Sequence, residues 1–502
     1  MNLSLIIEKH INRIPNKLAV ISETTNYSWI EFNHQVNKMG NALKKLGVSK
    51  DDRVALCLPN SPEYLVSYFA IVKLGAIAVP FNWMFQSPEI MYIVNNSEAK
   101  FLICLAGETM DKVLKIRDKT PLLEKIVSVG ESSQTDVIFY HQMLEGESED
   151  LTPVDCAPDD IVTILYTSGT TGQPKGAMLS HSNFYSNAEL NACYVLMVSD
   201  QDRFFTGTPF CHIFFVLTVL GPMYKGAAIV TMPRFFPDKA LELISEFKVT
   251  HFAGVPTMYI YMLQTYLEDP HKYDLKAWRF AQSAGAAMPA EYIPKIIETF
   301  GTGFCECYGS TETSATCTYG RLEHGKAGSI GLPADTWEVI VKDTQNNPAL
   351  QGEVGEIVVK GPGLFKGYWK MPEATSEAVI DGWFHTGDLG MVDEDGYLYI
   401  VDRKKDMIIC GGYNIYPREI EEVLYTHPAI LEVAVIGVRD DVKGEIPKSF
   451  VTLRPGHLIN EAEIIIFCKK RIAAYKVPRI VEFVNELPKN TSGKILKRVL
   501  AN

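Results

Sequence analysis

The pattern of apolar and polar positions changes twice along the chain. Up to about residue 330, short continuous apolar runs alternate with segments of helical periodicity. Continuous apolar strands that alternate with helices are typical of parallel sheets covered on both faces. We therefore predict an α/β fold in which parallel-rich sheets pack against helices. The candidate buried strands are residues 54–58, 77–81, 161–167, 226–232, 249–255 and 304–309.

Beyond that point the apolar positions alternate with a period of two residues, and Gly-rich turns separate the segments. This pattern indicates a small antiparallel or barrel-like, β-rich subdomain. Past Arg403, a pattern of helix, two strands, helix and strand begins. We therefore expect a large N-terminal domain over residues 1–401 and a small α+β C-terminal domain over residues 402–502. The segments of period two are 355–361, 383–387 and 396–403.

The composition excludes several classes of protein. With 502 residues, the chain is long enough for several domains, since a domain commonly has about 150 residues. Hydrophobic residues make up 47% and charged residues 22%, which is typical of a soluble globular chain. The net charge of −12 argues against a nucleic-acid-binding protein and against broad adhesion to anionic lipids. It leaves room for a local basic site and for transient membrane association.

The cysteines and the apolar segments favour a cytoplasmic protein. The ten cysteines are scattered, none forms a CxxC motif, and no Cys/His set has zinc-binding spacing, so we expect reduced thiols. The N-terminal segment lacks the pattern of a signal peptide. The most apolar segment, residues 64–79, is interrupted by Lys73 and Gly75. We interpret it as a core helix followed by a strand, not as a membrane span.

Residues 166–177, YTSGTTGQPKGA, carry the strongest chemical signal. They follow an apolar strand and combine five hydroxyls, three glycines and Lys175. Glycines let backbone N–H groups approach an anion closely, hydroxyls donate to phosphate oxygens, and a lysine adds positive charge. We interpret the segment as a phosphate-binding loop, although it lacks the GxxxxGK[ST] pattern of P-loop NTPases. The alternative is a polar turn without a ligand.

Three further segments are candidates for nucleotide chemistry. In CYGSTET, residues 307–313, an aromatic ring could stack on a purine and Glu312 could hold Mg²⁺, unless the segment is a capped helix start. Asp388 and Arg403 could bind ribose hydroxyls or a phosphate, although a turn aspartate and a solvated basic run would explain them as well. Lys494 could enter a distant site on a mobile loop, whereas a C-terminal lysine is more often plain surface charge.

In their order, spacing and residues, five segments resemble the conserved motifs of the adenylate-forming superfamily, which includes acyl-CoA synthetases, 4-coumarate-type ligases and luciferase-like enzymes. The resemblance covers essentially the whole chain, and residues 381–405 look most like the fatty-acyl-CoA and coumarate-type branch. It implies that a carboxylate attacks the α-phosphate of ATP, giving acyl-AMP and pyrophosphate, and that a thiol, usually coenzyme A, displaces AMP. The segments are YTSGTTGQPKG, YGSTET, GWFHTGDLG, VDRKKDMI and PKNTSGK.

By the same resemblance, two motifs would bind the phosphates and the metal ion. Thr311 would bind the α-phosphate, and Glu312 and Thr167 would contact Mg²⁺. The β- and γ-phosphates would be held by Thr167, Ser168, Gly169, Thr170, Thr171, Gly172 and Lys175.

The resemblance also implies positions for the nucleoside. Tyr308 would stack on adenine against the strip SAGAA, which includes Gly285 and Ala286. Asp388 and Arg403 would bind the ribose hydroxyls.

The resemblance further implies a mobile C-terminal domain. Lys494 would bridge the reacting carboxylate and the α-phosphate during adenylation, and Lys405 matches the family's hinge position. After adenylation the domain would swing and bring Gly412, in GGYNIYP, to the site. There, this segment would help to form the channel for the pantetheine arm of coenzyme A.

The segment TPFCHIFF, residues 208–215, bears on the identity of the acid. The resemblance places His212 near the acyl carboxylate and the thioester path, although a lone histidine among apolar residues is more often a core residue. Residues 208–218 contain no carboxylate to pair with an amine and no arginine to pair with a second acid group. We therefore expect an apolar monocarboxylic acid, with a medium- or long-chain fatty acid first and an aryl or arylpropenoic acid second.

These expectations describe an ATP- and coenzyme-A-dependent ligase that acts in the cytoplasm as a monomer or homodimer. Two alternatives stay open. The acyl-adenylate could pass to the thiol of a carrier protein instead of coenzyme A. The protein could also bind adenylates without catalysis, which the presence of Lys175, Glu312, Asp388 and Lys494 argues against.

Overall fold

The computed structural model describes residues 1–131, 136–167, 173–322, 325–490 and 493–501. Within these residues the strands form four sheets. The strands are β1 (Leu18–Ile21), β2 (Asn26–Ser28), β3 (Arg53–Cys57), β4 (Ile77–Pro80), β5 (Phe101–Leu105), β6 (Lys125–Val129), β7 (Ile138–Phe139), β8 (Ile161–Thr167), β9 (Lys175–Ser180), β10 (Arg203–Thr206), β11 (Ala228–Thr231), β12 (His251–Gly254), β13 (Phe280–Ser283), β14 (Gly303–Ser310), β15 (Ala315–Tyr319), β16 (Leu332–Pro333), β17 (Glu338–Lys342), β18 (Gly355–Lys360), β19 (Val379–Ile380), β20 (Trp383–Val392), β21 (Leu398–Arg403), β22 (Ile408–Cys410), β23 (Tyr413–Ile415), β24 (Ile430–Asp440), β25 (Gly444–Leu453) and β26 (Ile480–Phe483).

Helices cover the sheets, and local sequence signals start several of them. At the start of α2, Ser28 and Glu31 form a capping box, in which each side chain accepts a hydrogen bond from the other residue's backbone N–H. The α-helices are α1 (Leu5–Arg13), α2 (Trp29–Lys45), α3 (Pro62–Lys73), α4 (Ser87–Ser97), α5 (Glu108–Leu114), α6 (Tyr140–Leu144), α7 (His181–Leu190), α8 (Gly221–Lys225), α9 (Pro237–Glu246), α10 (Pro256–Glu268), α11 (Tyr292–Phe300), α12 (Pro372–Ala378), α13 (Pro417–Tyr425), α14 (Glu461–Lys469) and α15 (Lys497–Leu500). A 3₁₀ turn spans Arg117–Lys119, and π-helical segments span Asn191–Val195 and Val216–Leu220.

Two large sheets form the N-terminal part of the molecule. The first has the strand order β16-β15-β14-β13-β12-β10-β11-β1-β2, and the second has the order β7-β6-β5-β3-β4-β8-β9. Neighbouring strands are parallel from β14 to β1 in the first sheet and from β7 to β8 in the second. Strands such as β4 and β12 are buried along their whole length, because helices cover both faces of the sheets.

A third, antiparallel sheet follows, with the order β17-β18-β20-β19 and with β21 paired to β20. The fourth sheet lies in the C-terminal part, with the order β23-β22-β25-β24 and with β26 added parallel to β25. Helices α13 and α14 pack on this last sheet. The predicted fold class is therefore confirmed, namely a large domain of parallel-rich sheets with a β-rich subdomain, and a small α+β domain.

The chain passes from the third sheet to the fourth between Arg403, where β21 ends, and Ile408, where β22 begins. Buried residues of the fourth sheet, such as Ile415 and Val435, form a cluster separate from the main core. The boundary between residues 401 and 402 stays a prediction, and so does the mobility of the C-terminal domain.

The structure also shows the state of the cysteines and the length and character of the helices. All ten cysteines are free, as expected for reduced thiols, and eight of them are buried. Among the residues that the structure describes, no helix combines the length and the apolar character needed to cross a bilayer.

Candidate active site

The candidate phosphate loop connects β8 to its antiparallel neighbour β9. In the register of this hairpin Thr167 faces Lys175, and the Thr167 hydroxyl donates to the Lys175 carbonyl oxygen over 3.4 Å. The residues between them that the sequence predicts to bind phosphates lie outside the described residues, namely Ser168, Gly169, Thr170, Thr171 and Gly172. The hairpin therefore holds both described ends of the loop at the edge of the second sheet.

Tyr368 connects this hairpin to the metal-binding candidate. Its hydroxyl donates to Glu312 Oε1 over 2.8 Å, and Lys175 Nζ lies 5.0 Å from the centroid of its ring. Burial raises the pKa of Tyr368, and the Glu312 carboxylate adds to this effect, so the phenol stays a neutral donor. Tyr368 thereby contacts a carboxylate through its hydroxyl and an ammonium group through its ring.

Glu312 and Thr167 fit a magnesium ion that arrives with a nucleotide. They offer a carboxylate and a hydroxyl, which are oxygen ligands of the kind Mg²⁺ prefers. Within the described residues, no group of three or more His, Cys, Asp or Glu side chains could hold a metal ion by itself. Mg²⁺ in proteins commonly takes one or two carboxylates and completes its shell with substrate phosphates and water.

The segment CYGSTET forms the end of β14 and a turn into β15, not the helix start that was the alternative interpretation. Thr311 and Glu312 lie in this turn, where the Ser314 N–H donates to the Thr311 carbonyl oxygen over 3.1 Å. The turn presents a hydroxyl and a carboxylate from adjacent positions, and Tyr308 precedes it on the strand. The structure thus places Thr311, predicted to bind the α-phosphate, and Glu312, one of the two predicted metal residues, in one turn.

Tyr308, Asp388 and Arg403 form a contact between the first and third sheets. The Tyr308 hydroxyl donates to Asp388 Oδ2 over 2.7 Å, and Arg403 Nε lies 3.3 Å from Asp388 Oδ1. Asp388 and Arg403 are opposite each other in the register of β20 and β21. Asp388 therefore lies within a strand that continues to Val392 and not in a turn at its end. The three predicted nucleoside residues lie together.

The strip SAGAA continues from β13, next to the strand that carries Tyr308. Gly285 and Ala286 are exposed at the end of this strand. Gly285 has φ +78°, and a Cβ built on it would lie 3.1 Å from the ring of Phe214. A side chain at this position would be strained and would push against Phe214.

Lys494 reaches this site from the C-terminal domain. Burial, with the nearby charge of Arg403, lowers its pKa from 10.5 to about 8, while the charge of Asp388 acts in the opposite direction. The Lys494 backbone N–H donates to Asn490 Oδ1 over 2.9 Å, and the Asn490 N–H donates to the Lys494 carbonyl oxygen over 2.8 Å. These two bonds tie the Lys494 backbone to Asn490, and the Lys494 ammonium lies within electrostatic range of the predicted ribose residues.

His212 lies within reach of the charge of Lys494. Burial lowers the pKa of His212 from 6.5 to about 4, and the Lys494 ammonium contributes to this shift. The Phe214 N–H points to His212 Nδ1 over 3.4 Å, which assigns the ring proton to Nε2. His212 is therefore a neutral imidazole at pH 7, placed between an apolar segment and the tail lysine.

Two further predicted residues lie in exposed connections of the chain. Lys405 is exposed in the connection between β21 and β22. Gly412 lies in the exposed turn between β22 and β23, has φ +85°, and has open space where a Cβ would be. Their roles as hinge and as part of the coenzyme A channel stay predictions.

Sequence reasoning missed two residues that touch the predicted groups. Tyr368 holds Glu312, and Thr257 donates from its hydroxyl to the Gly493 carbonyl oxygen over 3.1 Å, next to Lys494. Tyr368 is 56 positions from Glu312 and Thr257 is 236 positions from Gly493, so no local pattern marks either residue. Only the packing of separate elements reveals them.

Comparison with known proteins agrees with this geometry. The AMP-binding enzyme family matches residues 7–369, and the AMP-binding enzyme C-terminal domain matches residues 419–494. A long-chain-fatty-acid–CoA ligase from Bacillus subtilis (strain 168) is 36% identical, over 99% of this chain and 94% of its own length. A feruloyl-CoA synthase from Amycolatopsis sp is 37% identical, over 96% and 95%.

A solved structure resembles the whole molecule. The anthranilate CoA ligase AuaEII, solved in complex with anthranoyl-AMP, superposes with a TM-score of 0.95 and 33% sequence identity, covering 100% of this chain and 96% of its own. The resemblance read from five motifs is therefore confirmed. The chain belongs to the AMP-binding enzyme family, and it is a ligase that activates a carboxylic acid as an acyl-adenylate and joins it to coenzyme A.

Proposed function

We propose that the acid is an apolar monocarboxylic acid, with a medium- or long-chain fatty acid as the first candidate. The segment next to His212 carries no charged side chain between residues 208 and 218. Its aromatic side chains Phe210, Phe214 and Phe215 are buried. An apolar wall of this kind favours a hydrocarbon substituent over a second carboxylate or an amine, because a buried charge without a partner is costly. Relatives named as long-chain-fatty-acid–CoA ligases support this choice.

An aryl or arylpropenoic acid is the second candidate, and the names of several relatives favour it. Similar proteins are named as acting on feruloyl, anthranilate and benzoate groups.

The position of Lys494 is the single observation that carries the proposed mechanism. In the first half-reaction, a carboxylate oxygen of the acid attacks the α-phosphorus of ATP, and the bond from this phosphorus to the oxygen of the departing pyrophosphate breaks. Negative charge grows on the oxygens between the two reactants. We infer that the Lys494 ammonium, whose charge acts on the His212 imidazole and is felt together with the charges of Asp388 and Arg403, stabilises this negative charge.

Other side chains would hold the reactants. Asp388 would accept from the ribose hydroxyls, with Tyr308 and Arg403 fixing its carboxylate. Lys175 would bind the terminal phosphates from the edge of the β8–β9 hairpin. When bound by Glu312 and Thr167, Mg²⁺ supplies positive charge to the departing pyrophosphate.

His212 would orient the acid. With a pKa of about 4, the imidazole is neutral at pH 7 and offers the Nε2–H as a donor to a carboxylate oxygen. In the second half-reaction, the thiol sulfur of coenzyme A attacks the carbonyl carbon of the acyl-adenylate, and AMP leaves. We propose that the turn of Lys494 withdraws in this step, which leaves room for the thiol to reach the carbonyl carbon, and that Gly412 approaches instead.

The experiment that tests the substrate is release of AMP over a panel of acids. The panel runs from acetate to octadecanoate and includes benzoate and cinnamate derivatives, with and without coenzyme A. Turnover of the longer aliphatic acids supports the first candidate, and turnover of only the aromatic acids supports the second. If pyrophosphate is released but added coenzyme A does not sustain turnover, a carrier-protein thiol is the acceptor. If no acid gives pyrophosphate release, the proposed function is contradicted.

The Lys494→Ala variant tests the mechanism. Pyrophosphate release should fall by about 10²–10³-fold, because a preorganised positive group is lost from the transition state. Thioester formation from preformed acyl-AMP should stay close to that of the wild type. Lys470, which is exposed on the same domain, provides the control variant Lys470→Ala. Equal loss in both half-reactions would contradict the assigned role.

A further inference from the structure

The hydroxyl of Tyr261 lies in the contact between the two domains. Tyr261 belongs to α10 of the N-terminal domain. Its hydroxyl donates to Glu432 Oε2 over 3.3 Å and accepts from Lys489 Nζ over 2.5 Å. Glu432 and Lys489 both belong to the C-terminal domain, and they form an ion pair of 2.8 Å with each other. One phenol of the large domain therefore completes a charged pair of the small domain.

This pair is withdrawn from water. The side chain of Glu432 is 3% exposed and that of Lys489 is 12% exposed. Among the described residues, Glu432 Oε1 has no hydrogen-bond partner. A buried ion pair depends on further hydrogen bonds to offset its lost hydration. The Tyr261 hydroxyl supplies one hydrogen bond to each member, so separation of the domains would cost the pair two hydrogen bonds at once.

Lys489 is also the residue at which the catalytic turn begins. Lys489 and Ile495 form an isolated antiparallel bridge across the turn. Inside this bridge, Asn490 binds Lys494 through both backbone and side chain, with distances of 2.8 and 2.9 Å. Holding Lys489 against α10 therefore holds the residue next to Asn490, to which the Lys494 backbone is bonded.

A second hydroxyl on the same helix holds the other side of the turn. Thr257 donates to the Gly493 carbonyl oxygen over 3.1 Å. Thr257 and Tyr261 are four positions apart, so they lie on one face of α10, one turn from each other. The helix thus contacts the turn both at Lys489 and directly before Lys494.

We propose that Tyr261 is a positioning residue for the first half-reaction. Through its hydrogen bonds to Glu432 and Lys489, Tyr261 holds the turn of Lys494 in place. This inference rests on the proposed function of Lys494. Tyr261 touches neither reactant in this assignment and acts through the turn alone. It should therefore matter for adenylation, which needs the seated turn, and not for thioester formation, in which the turn withdraws.

The Tyr261→Phe variant tests this role with little change in packing. It keeps the ring over which Lys489 Nζ lies at 5.0 Å from the centroid, and it removes only the hydroxyl. Tyr266→Phe is the matched control, since Tyr266 lies on the same helix and packs by its ring against Tyr273 and Phe300. Both variants lose one phenolic oxygen from α10.

Pyrophosphate release is measured first, with ATP and an acid that the wild type uses. We expect kcat to fall about tenfold in Tyr261→Phe, because a hydrogen bond to a charged group shifts an equilibrium by roughly this factor. The KM values for ATP and for the acid should be unchanged, and so should thioester formation from preformed acyl-AMP. Tyr266→Phe should match the wild type in all of these. Equal loss in both half-reactions, or no loss in either, would overturn the proposal.

Hydrogen exchange of the free protein provides a readout that does not depend on activity. The backbone amides of Asn490, Gly493 and Lys494 donate within the turn, and they should exchange faster in Tyr261→Phe than in the wild type or in Tyr266→Phe. Equal exchange in the three proteins would overturn the role of Tyr261. If the wild type releases no pyrophosphate with any acid, the proposed function fails, and the exchange result still decides whether Tyr261 seats the turn.

Discussion

At the scale of single residues, burial changes what ordinary side chains can do. Lys494, His212 and Glu306 each have a pKa displaced toward the neutral form, in every case chiefly because burial disfavours the charged form. Sequence motifs identified Lys494 and His212 as candidates, but their protonation follows from surroundings that several distant elements supply. The residue type therefore identifies the candidate ionisable group, and the environment of that group in the fold determines its charge.

The pH dependence of adenylation should follow the protonation state of Lys494. Its pKa is lowered to about 8, so the ammonium form that stabilises the transition state is lost as the pH rises through this value. We expect kcat/KM for ATP in pyrophosphate release to fall about tenfold for each pH unit above 8, since this parameter reports groups of the free enzyme. Thioester formation from preformed acyl-AMP should lack this falling limb. A constant kcat/KM up to the alkaline limit of stability would contradict the role of the ammonium group.

The buried carboxylate of Glu306 should make stability depend on pH. Glu306 is 7% exposed on β14, and its Oε1 accepts from the Met288 N–H over 3.0 Å. Burial raises its pKa from 4.5 to about 7; the charge of Glu422 raises it further, and that of Arg418 acts in the opposite direction. The folded chain therefore binds a proton that the unfolded chain has lost, and the folded state loses relative stability as pH rises from about 4.5 to 7.

The Glu306→Gln variant should remove this dependence. Its amide oxygen can still accept from Met288, and it carries no charge at any pH. We expect its Tm to exceed that of the wild type by roughly 2–4 °C at pH 8, which corresponds to about 1 kcal/mol in a large domain. The difference should be much smaller at pH 5. A gain of the same size at both pH values would show that the charge of Glu306 is not the cause.

At the scale of elements, the apolar pattern predicted the strands that matter for the site. The run 161–167 forms β8 over the same residues, and the run 304–309 lies within β14. The prediction worked because buried parallel strands are continuous apolar segments with distinct turn residues at their ends. It ended this strand too early, at Gly387, because a glycine there looks like the start of a turn, while β20 continues through it with φ +73° and ends at Val392.

The connection between β21 and β22 contains the predicted hinge of the C-terminal domain. The Lys404 N–H donates to the Gly387 carbonyl oxygen and the Asp406 N–H to that of Arg403, so these two bonds flank Lys405. Proline at position 405 would fix its own φ and restrict Lys404. We expect Lys405→Pro to slow thioester formation from preformed acyl-AMP at least about tenfold and to affect pyrophosphate release much less. Lys404→Ala, a change of side chain only, is the control. The hinge assignment would fail if adenylation were the more impaired step.

At the scale of the whole molecule, polar contacts link the two domains. Arg454 donates to the Tyr292 hydroxyl over 2.7 Å, and the Ala290 N–H donates to Glu422 Oε2 over 3.4 Å. Each domain has its own apolar core. Polar interfaces between domains can separate and re-form, because water can replace their hydrogen bonds. This arrangement is compatible with the alternation between half-reactions that the proposed function needs.

The exposed turn that carries Gly412 should become protected when the domain swings. In this structure the turn lies between β22 and β23, with Tyr413 61% exposed beside it. We expect the amides of residues 411–414 to exchange several-fold more slowly once coenzyme A and a non-hydrolysable acyl-adenylate analogue are added together. The exposed turn around Gly456 is the internal control. Protection by ATP alone would contradict the assigned role of Gly412 in the second half-reaction.

The sequence by itself determined the sheet-and-helix architecture, the family and the candidate groups on each motif, because apolar periodicity and short motifs are local properties of the chain. The tertiary structure alone decided that Lys494 lies within electrostatic range of Asp388 and His212, that Tyr368 binds Glu312, and that Tyr261 binds Lys489 at the base of the catalytic turn. These contacts join residues far apart in sequence. They arise only when separate sheets and two domains pack together, and no local pattern encodes such packing.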